Sequence, residues 1–132
     1  MAYSTYFWAM LRSFLFVGIG GAVGSMARYA VAIAVSKLWE APYPIATFLI
    51  NISGCLLIGI LFGFSIRSQW LQEGGLLLLA TGFCGGFTTF STFALENIGL
   101  LQKGNPVTAI VYTGLSIIIG LLLCRLGLWL TE

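Results

Sequence analysis

The sequence predicts an all-α membrane protein with four transmembrane helices. Three observations predict it. Of 132 residues, 59% are hydrophobic and only 8% charged, and the mean hydropathy is +1.02; soluble domains carry fewer apolar and more charged residues. The apolar residues gather in four stretches, each long enough to cross the roughly 30 Å hydrocarbon core as a helix. Trp8, Trp39, Trp70 and Trp129 all fall at the ends of those stretches, where the amphipathic indole favours the membrane–water boundary. The whole chain, 1–132, is expected to form one membrane domain, with spans at about 12–37, 44–66, 74–102 and 106–130.

Residues 1–11 carry Tyr3, Tyr6, Phe7 and Trp8 and read as an interfacial lead-in. Arg12 opens span one. The apolar run behind it outlasts a signal-peptide core and no small-x-small site ends a shorter run, so the segment is expected to be retained. Gly20, Gly24 and Arg28 recur every four residues on one face, with Gly21 and Ser25 beside them. Glycines at that spacing admit close approach of a second helix. Arg28 lies inside the span, where an arginine faces protein or water, or snorkels. Lys37, Trp39, Glu40, Pro42 and Pro44 mark the first loop. Span two places Thr47, Asn51 and Gly54 on one face, and Gly59 and Gly63 form a second small-residue strip. Arg67, Ser68, Gln69, Trp70 and Glu73 mark the second loop.

Span three contains the stretch least like a helix, Thr-Gly-Phe-Cys-Gly-Gly-Phe-Thr-Thr-Phe-Ser-Thr-Phe-Ala-Leu-Glu at 81–96. Gly82, Gly85 and Gly86 each lower helix propensity by about 1 kcal/mol against alanine. Thr88, Thr89, Ser91 and Thr92 can bond the backbone locally and compete with the helical ladder. Two readings follow. The helix is broken at mid-membrane, with its loosened backbone facing an ion site or path, since such a break survives only against protein or a polar cavity. Alternatively it is an unbroken, glycine-rich helix packed tightly on a neighbour. The break is the expectation adopted, because the span exceeds the roughly 20 residues of a straight crossing and has slack for an unwound turn. Lys103, Gly104, Asn105 and Pro106 stop the span. Span four carries Thr108, Tyr112, Ser116 and Gly120 on one slowly drifting face and ends at Arg125, Trp129 and Glu132.

Four spans put both termini on one side. Arg12, Arg67 and Arg125 share that side; Lys37 and Lys103 take the other, with Arg28 nearer it. So balanced a distribution selects no orientation, and a chain inserted both ways round is an expected consequence. Broken-helix transporters usually build a midplane site from inverted repeats. This chain is too short for two copies. Two oppositely inserted subunits would supply the inversion, and the glycine strips are expected to supply their contact.

Composition excludes several functions. A net charge of +2 without a basic run does not suit nucleic acid. The chain has no histidine, no aspartate, no close carboxylate pair and no phosphate loop, so an enzyme is not expected. Cys55, Cys84 and Cys124 lie in apolar segments and are expected to be free thiols. What remains is transport. Thr47, Asn51, Ser91, Thr92, Tyr112 and Ser116 are neutral hydrogen-bond donors. Neutral donors can replace the water around a small anion without trapping it by full charge. Phe90 and Phe93 can present partly positive ring edges to an anion, or simply pack. Carbonyls freed between Gly85 and Thr88 would be hard oxygen ligands suited to a monovalent cation such as Na⁺. Glu96 is expected to pair with a positive group, Arg28 being one candidate, or to face a vestibule. Two rivals stand beside this reading: a small proton-coupled exporter, which needs a titratable carboxylate within the membrane, and a packing subunit without transport activity.

Gly82-Phe-Cys-Gly-Gly-Phe-Thr-Thr-Phe-Ser-Thr-Phe-x-x-Glu96 resembles the signature of the Fluc (CrcB) fluoride channels. The resemblance extends to Gly20-Gly21-x-x-Gly24-x-x-x-Arg28-Tyr29, to Thr47-x-x-x-Asn51-x-x-Gly54, and to the length and four-span layout of essentially the whole chain. It implies a dual-topology antiparallel homodimer in the bacterial inner membrane, conducting fluoride passively out of the cytoplasm through two pores. It implies a structural Na⁺ at the dimer interface, held by the carbonyls of Gly85 and Thr88 from both subunits. It implies that Phe90 and Phe93 line the pore near Asn51, with Tyr112 and Ser116 on the fourth-span polar track. Gly120 stands where some members carry a hydroxyl residue.

Overall fold

Apolar runs free of proline build the long helices of the computed structural model, and Pro44 and Pro106 sit where helices begin. The structure describes residues 2–39 and 43–131, with side chains from Tyr6 onward. Glu40 and Pro42 of the expected first loop, Glu132 and the Tyr3 side chain lie outside the described residues. Helix α1 spans Ala2–Leu38, α2 Ile45–Ser65, and α5 Pro106–Trp129. Pro106 opens α5, where a missing N–H leaves no helical bond unmade. Among the described residues four helices are long and apolar enough to cross a membrane, at Tyr6–Leu38, Ile45–Ser65, Leu77–Gln102 and Pro106–Trp129. Among the described residues there is no strand. The expected interfacial lead-in is continuous with α1, with no glycine or proline between Ala2 and Arg12 to break a helix. At about 1.5 Å per residue the 37-residue α1 is longer than the hydrocarbon core is thick.

The third span is assembled from several pieces. A π-helical turn at Leu71–Gly75 is kinked at Gly74. A π-helical stretch follows at Leu77–Cys84 and runs into the short α3, Gly85–Phe87. Thr88 (φ −79°, ψ 160°) and Thr89 (φ −150°, ψ 120°) are extended. Helix α4 then runs from Phe90 to Gln102. Gly85 keeps helical dihedrals. The departure from helix therefore falls on the threonines, after the glycines that seemed the weaker helix formers.

The glycines serve packing. α1 lies along the π-helical stretch and α3, and α2 lies along α5. A Cβ on Gly20 would strike the Leu78 carbonyl, and one on Gly24 the Phe83 carbonyl. From the other side, a Cβ on Gly82 would lie 2.9 Å from the Gly20 Cα, and one on Gly86 3.0 Å from the Gly21 Cα. On the second pair, a Cβ on Gly59 would strike the Cys124 carbonyl, and one on Gly127 would come within 2.8 Å of the Ile60 nitrogen. Both strips are thus occupied within one chain. The expectation that they join two subunits is corrected: backbone already fills the space their missing side chains leave.

Two small buried clusters result, Leu61–Leu71–Ala80–Cys84 and Leu100–Ala109–Tyr112. Most apolar side chains point outward, as lipid permits, since tails are as apolar as leucine. The packing predicts that Gly24→Val lowers the thermal stability of the detergent-solubilised chain by roughly 1–3 kcal/mol or more through overpacking. Gly114→Ala, at a position with nothing within 4 Å of an added Cβ, should leave the melting temperature within error or raise it.

Candidate functional site

The extended pair Thr88–Thr89 leaves backbone groups without helical partners, and α2 supplies one residue to meet them. The Asn51 carboxamide donates from Nδ2 to the Thr89 carbonyl at 3.0 Å. Its Oδ1 accepts from the Thr89 N–H at 2.8 Å. Only this orientation of the amide serves both groups. Thr88 closes the helix before it: its N–H and its Oγ1 both donate to the Cys84 carbonyl, at 2.9 and 2.8 Å. The Thr88 methyl rests on Gly54, where a Cβ would collide with it. Thr89 opens the helix after it. Its Oγ1 accepts from the Thr92 N–H at 3.2 Å, the side-chain cap that a threonine three residues ahead of a free donor provides. The same oxygen lies 3.0 Å from Thr92 Oγ1 and 3.3 Å from Ser91 Oγ.

A groove of about 450 Å³ opens beside this point. Asn51, Phe90, Phe93, Ser116, Gly85 and Thr88 all contribute to its wall. Sequence reasoning had placed these residues on three different spans. Ser116 Oγ is buried and makes no hydrogen bond among the described residues. The Asn51 amide has two protons, and its one bond to Thr89 leaves the second unused. The rings of Phe90 and Phe93 stand 5.8 Å apart, and the Phe93 ring stands 5.0 Å from that of Tyr112. Phe90 is 80% exposed on the single chain.

Thr47, Tyr112, Ser91 and Thr92 do not line this groove. Thr47 Oγ1 donates to Glu96 Oε1 at 2.7 Å, and the Tyr112 hydroxyl donates to Glu96 Oε2 at 2.9 Å. Glu96 therefore meets two hydroxyls, one from α2 and one from α5, and no ion pair joins it to Arg28 among the described residues. Ser91 and Thr92 are exposed, and their hydroxyls lie against the Thr89 cap. Cys55, Cys84 and Cys124 are free.

Thr89, Asn97 and Thr113 belong to this network and were not singled out as site residues. Asn97 Nδ2 donates to the Phe93 carbonyl at 2.9 Å, and Asn97 Oδ1 accepts from Thr113 Oγ1 at 2.9 Å. The Thr89-x-x-Thr92 spacing carries a cap signal that could have found Thr89. Nothing in one strand of sequence marks Asn97 and Thr113, because their pairing crosses two helices.

The chain is thus a multi-pass membrane protein with a mostly apolar groove, holding a few neutral polar side chains, beside a helix interruption. Comparison with known proteins narrows the class. The family described as CrcB-like protein, Camphor Resistance (CrcB), matches residues 15–128. The fluoride-specific ion channel FluC of Azobacteroides pseudotrichonymphae genomovar. CFP2 is 44% identical over 123 residues, 93% of this chain and 98% of the relative. FluC 2 of Rhodococcus jostii is 44% identical over 118 residues, covering 89% of this chain and 97% of the relative. FluC 1 of Listeria innocua is 41% identical over 121 residues, covering 92% and 98%. The chain belongs to the CrcB family of fluoride ion channels, a family of channels and not of enzymes.

The geometry predicts that Asn51→Leu, which strands the Thr89 N–H in a residue only 8% exposed, lowers stability by about 1–3 kcal/mol. Hydrogen exchange at the Thr89 amide should accelerate in that variant. Unchanged protection there would show that Asn51 does not hold the interruption.

Proposed function

We propose that the chain is a fluoride channel of the bacterial inner membrane, conducting fluoride passively out of the cytoplasm and so lowering its toxicity. One observation carries the reading. In a chain whose relatives are named fluoride-specific channels, Asn51 with an unused amide proton, Ser116 with a buried unpartnered hydroxyl, and the aromatic residues Phe90 and Phe93 converge on the wall of one groove. Fluoride is small and holds its water tightly, so its path must replace that water with donors at every step. A fixed carboxylate would repel it and a fixed cation would trap it. Asn51 and Ser116 donate to the ion, and the positive ring edges of Phe90 and Phe93 add weaker attraction. Thr47 and Tyr112, whose hydroxyl protons are held by Glu96 in the single chain, would extend the path once that contact yields, and Ser91 and Thr92 extend it beside Thr89.

The working unit in this reading is an antiparallel homodimer of oppositely inserted chains, with two pores and the third-span interruption at mid-membrane. The nearly balanced loop charges support dual insertion. Exposed Phe90 and open Gly85, where an added Cβ would meet nothing within 4 Å, give a second copy a surface to cover. A structural Na⁺ fits the same place. The last carbonyls of a helix lack intrahelical partners, and they are hard neutral oxygens at the negative end of the dipole. Among the described residues no group of three His, Cys, Asp or Glu competes for a metal. The carbonyls of Gly85 and Thr88 from both subunits would hold the ion, which supplies fixed positive charge between the pores.

In liposomes holding the purified chain, fluoride should flow down its gradient far faster than chloride, and an imposed proton gradient should not drive it. Efflux of a lipophilic cation powered by that gradient would instead identify an exporter. Asn51→Asp, which places a negative charge in an anion path, and Phe90→Ile should each cut fluoride flux on the order of tenfold or more; wild-type flux in both would remove the groove from the pathway. Dual insertion has its own readout. In a chain with the native cysteines replaced by alanine, Gln69→Cys should label with an impermeant thiol reagent from both faces of the membrane, and one-sided labelling would end that part of the proposal.

A further inference from the structure

Helix α4 has an unusual problem of placement. It follows two extended residues, Thr88 and Thr89, so its rotation about its own axis is not inherited from α3. Asn51 and the Thr89 cap pin its first turn. Further along, two consecutive residues of α4 bond two consecutive residues of α5: Glu96 accepts from Tyr112 at 2.9 Å, and Asn97 accepts from Thr113 at 2.9 Å. Glu96 also accepts from Thr47 of α2 at 2.7 Å. Neighbouring helical residues project about 100° apart, so the Asn97–Thr113 bond braces a different face of α4 from the one that the Glu96 bonds hold.

The Asn97 rung also reaches the groove. While Oδ1 is held by Thr113, Nδ2 donates to the Phe93 carbonyl at 2.9 Å, one turn back on the same helix. Phe93 is the residue whose ring meets Tyr112 at 5.0 Å and Phe90 at 5.8 Å. The chain of contacts therefore runs from α5, through a side-chain amide, to the backbone of a groove-lining aromatic. The amide orientation is dictated, since the Phe93 carbonyl can only accept.

We infer that Asn97 and Thr113 are positioning residues for the Phe93 ring: their hydrogen bond, tied to the Phe93 carbonyl, sets the angle at which that ring edge faces the groove. The inference rests on the proposed fluoride pathway for its consequence in flux, though not for the placement itself. Ring-edge attraction depends on orientation, because the face of the ring is negative and only the edge is positive. A small rotation of α4 turns one toward the other.

Thr113→Val keeps the shape and deletes the hydroxyl. It should lower fluoride flux per reconstituted chain on the order of fivefold, the equivalent of one ordinary hydrogen bond. Thr113→Ser, which restores the hydroxyl, should recover flux to within about twofold of wild type. The double variant Thr113→Val with Asn97→Ala should lose little more than the worse single variant, since both act through one bond. A second readout is independent of conduction: 4-fluorophenylalanine placed at position 93 should show a shifted ¹⁹F resonance in Thr113→Val and a wild-type resonance in Thr113→Ser. If Thr113→Val melts with wild type yet leaves flux and resonance unchanged, the inference is overturned. The same holds if Thr113→Ser fails to rescue. If Thr113→Val does not fold, Asn97→Ala carries both readouts. A wild-type chain that passes no fluoride would defeat the proposed function, while the ¹⁹F shift would still decide the brace.

Discussion

One side chain makes the rest of the site possible. A peptide that leaves helical geometry in an apolar setting strands an N–H and a C=O, and each such group left unmet costs several kcal/mol in hydrocarbon. The Asn51 carboxamide is itself a copy of the peptide group, a planar donor beside a planar acceptor. Facing Thr89, it makes the two bonds a neighbouring turn of helix would have made. Because Asn51 sits on α2, the same pair fixes where the interruption lies relative to the second span. It leaves one amide proton over.

The glycines and threonines of the third span divide the labour by chemistry. Gly82 and Gly86 remove side chains so that the backbones of α1 and the third span meet. Thr88 and Thr89 bring hydroxyls that satisfy the backbone where the helix stops and restarts. Close approach and interruption are therefore not alternatives. Each holds at its own residues, and close packing on α1 steadies the piece of helix that ends at the break. The glycine strips are filled internally, while Phe90, just past the break, stays exposed on the single chain.

Glu96 shows how a carboxyl group is held in such a place. It accepts from a hydroxyl of α2 and another of α5, at 2.7 and 2.9 Å. That arrangement draws three helices together without a buried ion pair. It also sets which hydroxyls remain free. Thr47 and Tyr112 are directed to the carboxylate, whereas Ser116, in the groove wall, keeps a buried Oγ without a hydrogen-bond partner among the described residues. A polar track read along one helix face thus separates into donors already engaged and a donor still available.

Sequence by itself determined the class, the four spans and the stretch where the helix would fail. These follow from hydropathy and local propensity, properties each segment carries wherever it packs. It also singled out Asn51, Phe90, Phe93 and Ser116, helped by the long third-span motif. Only the tertiary structure decided that the interruption falls on Thr88–Thr89 and not on the glycines, that the glycine strips close within the chain, that Glu96 meets hydroxyls instead of Arg28, and that Asn97 is tied to Thr113. Each of those outcomes is a choice of partner across helices. With 17 glycines and many hydroxyl residues in the chain, spacing along one helix cannot say which of several equivalent groups will lie within 3 Å of another.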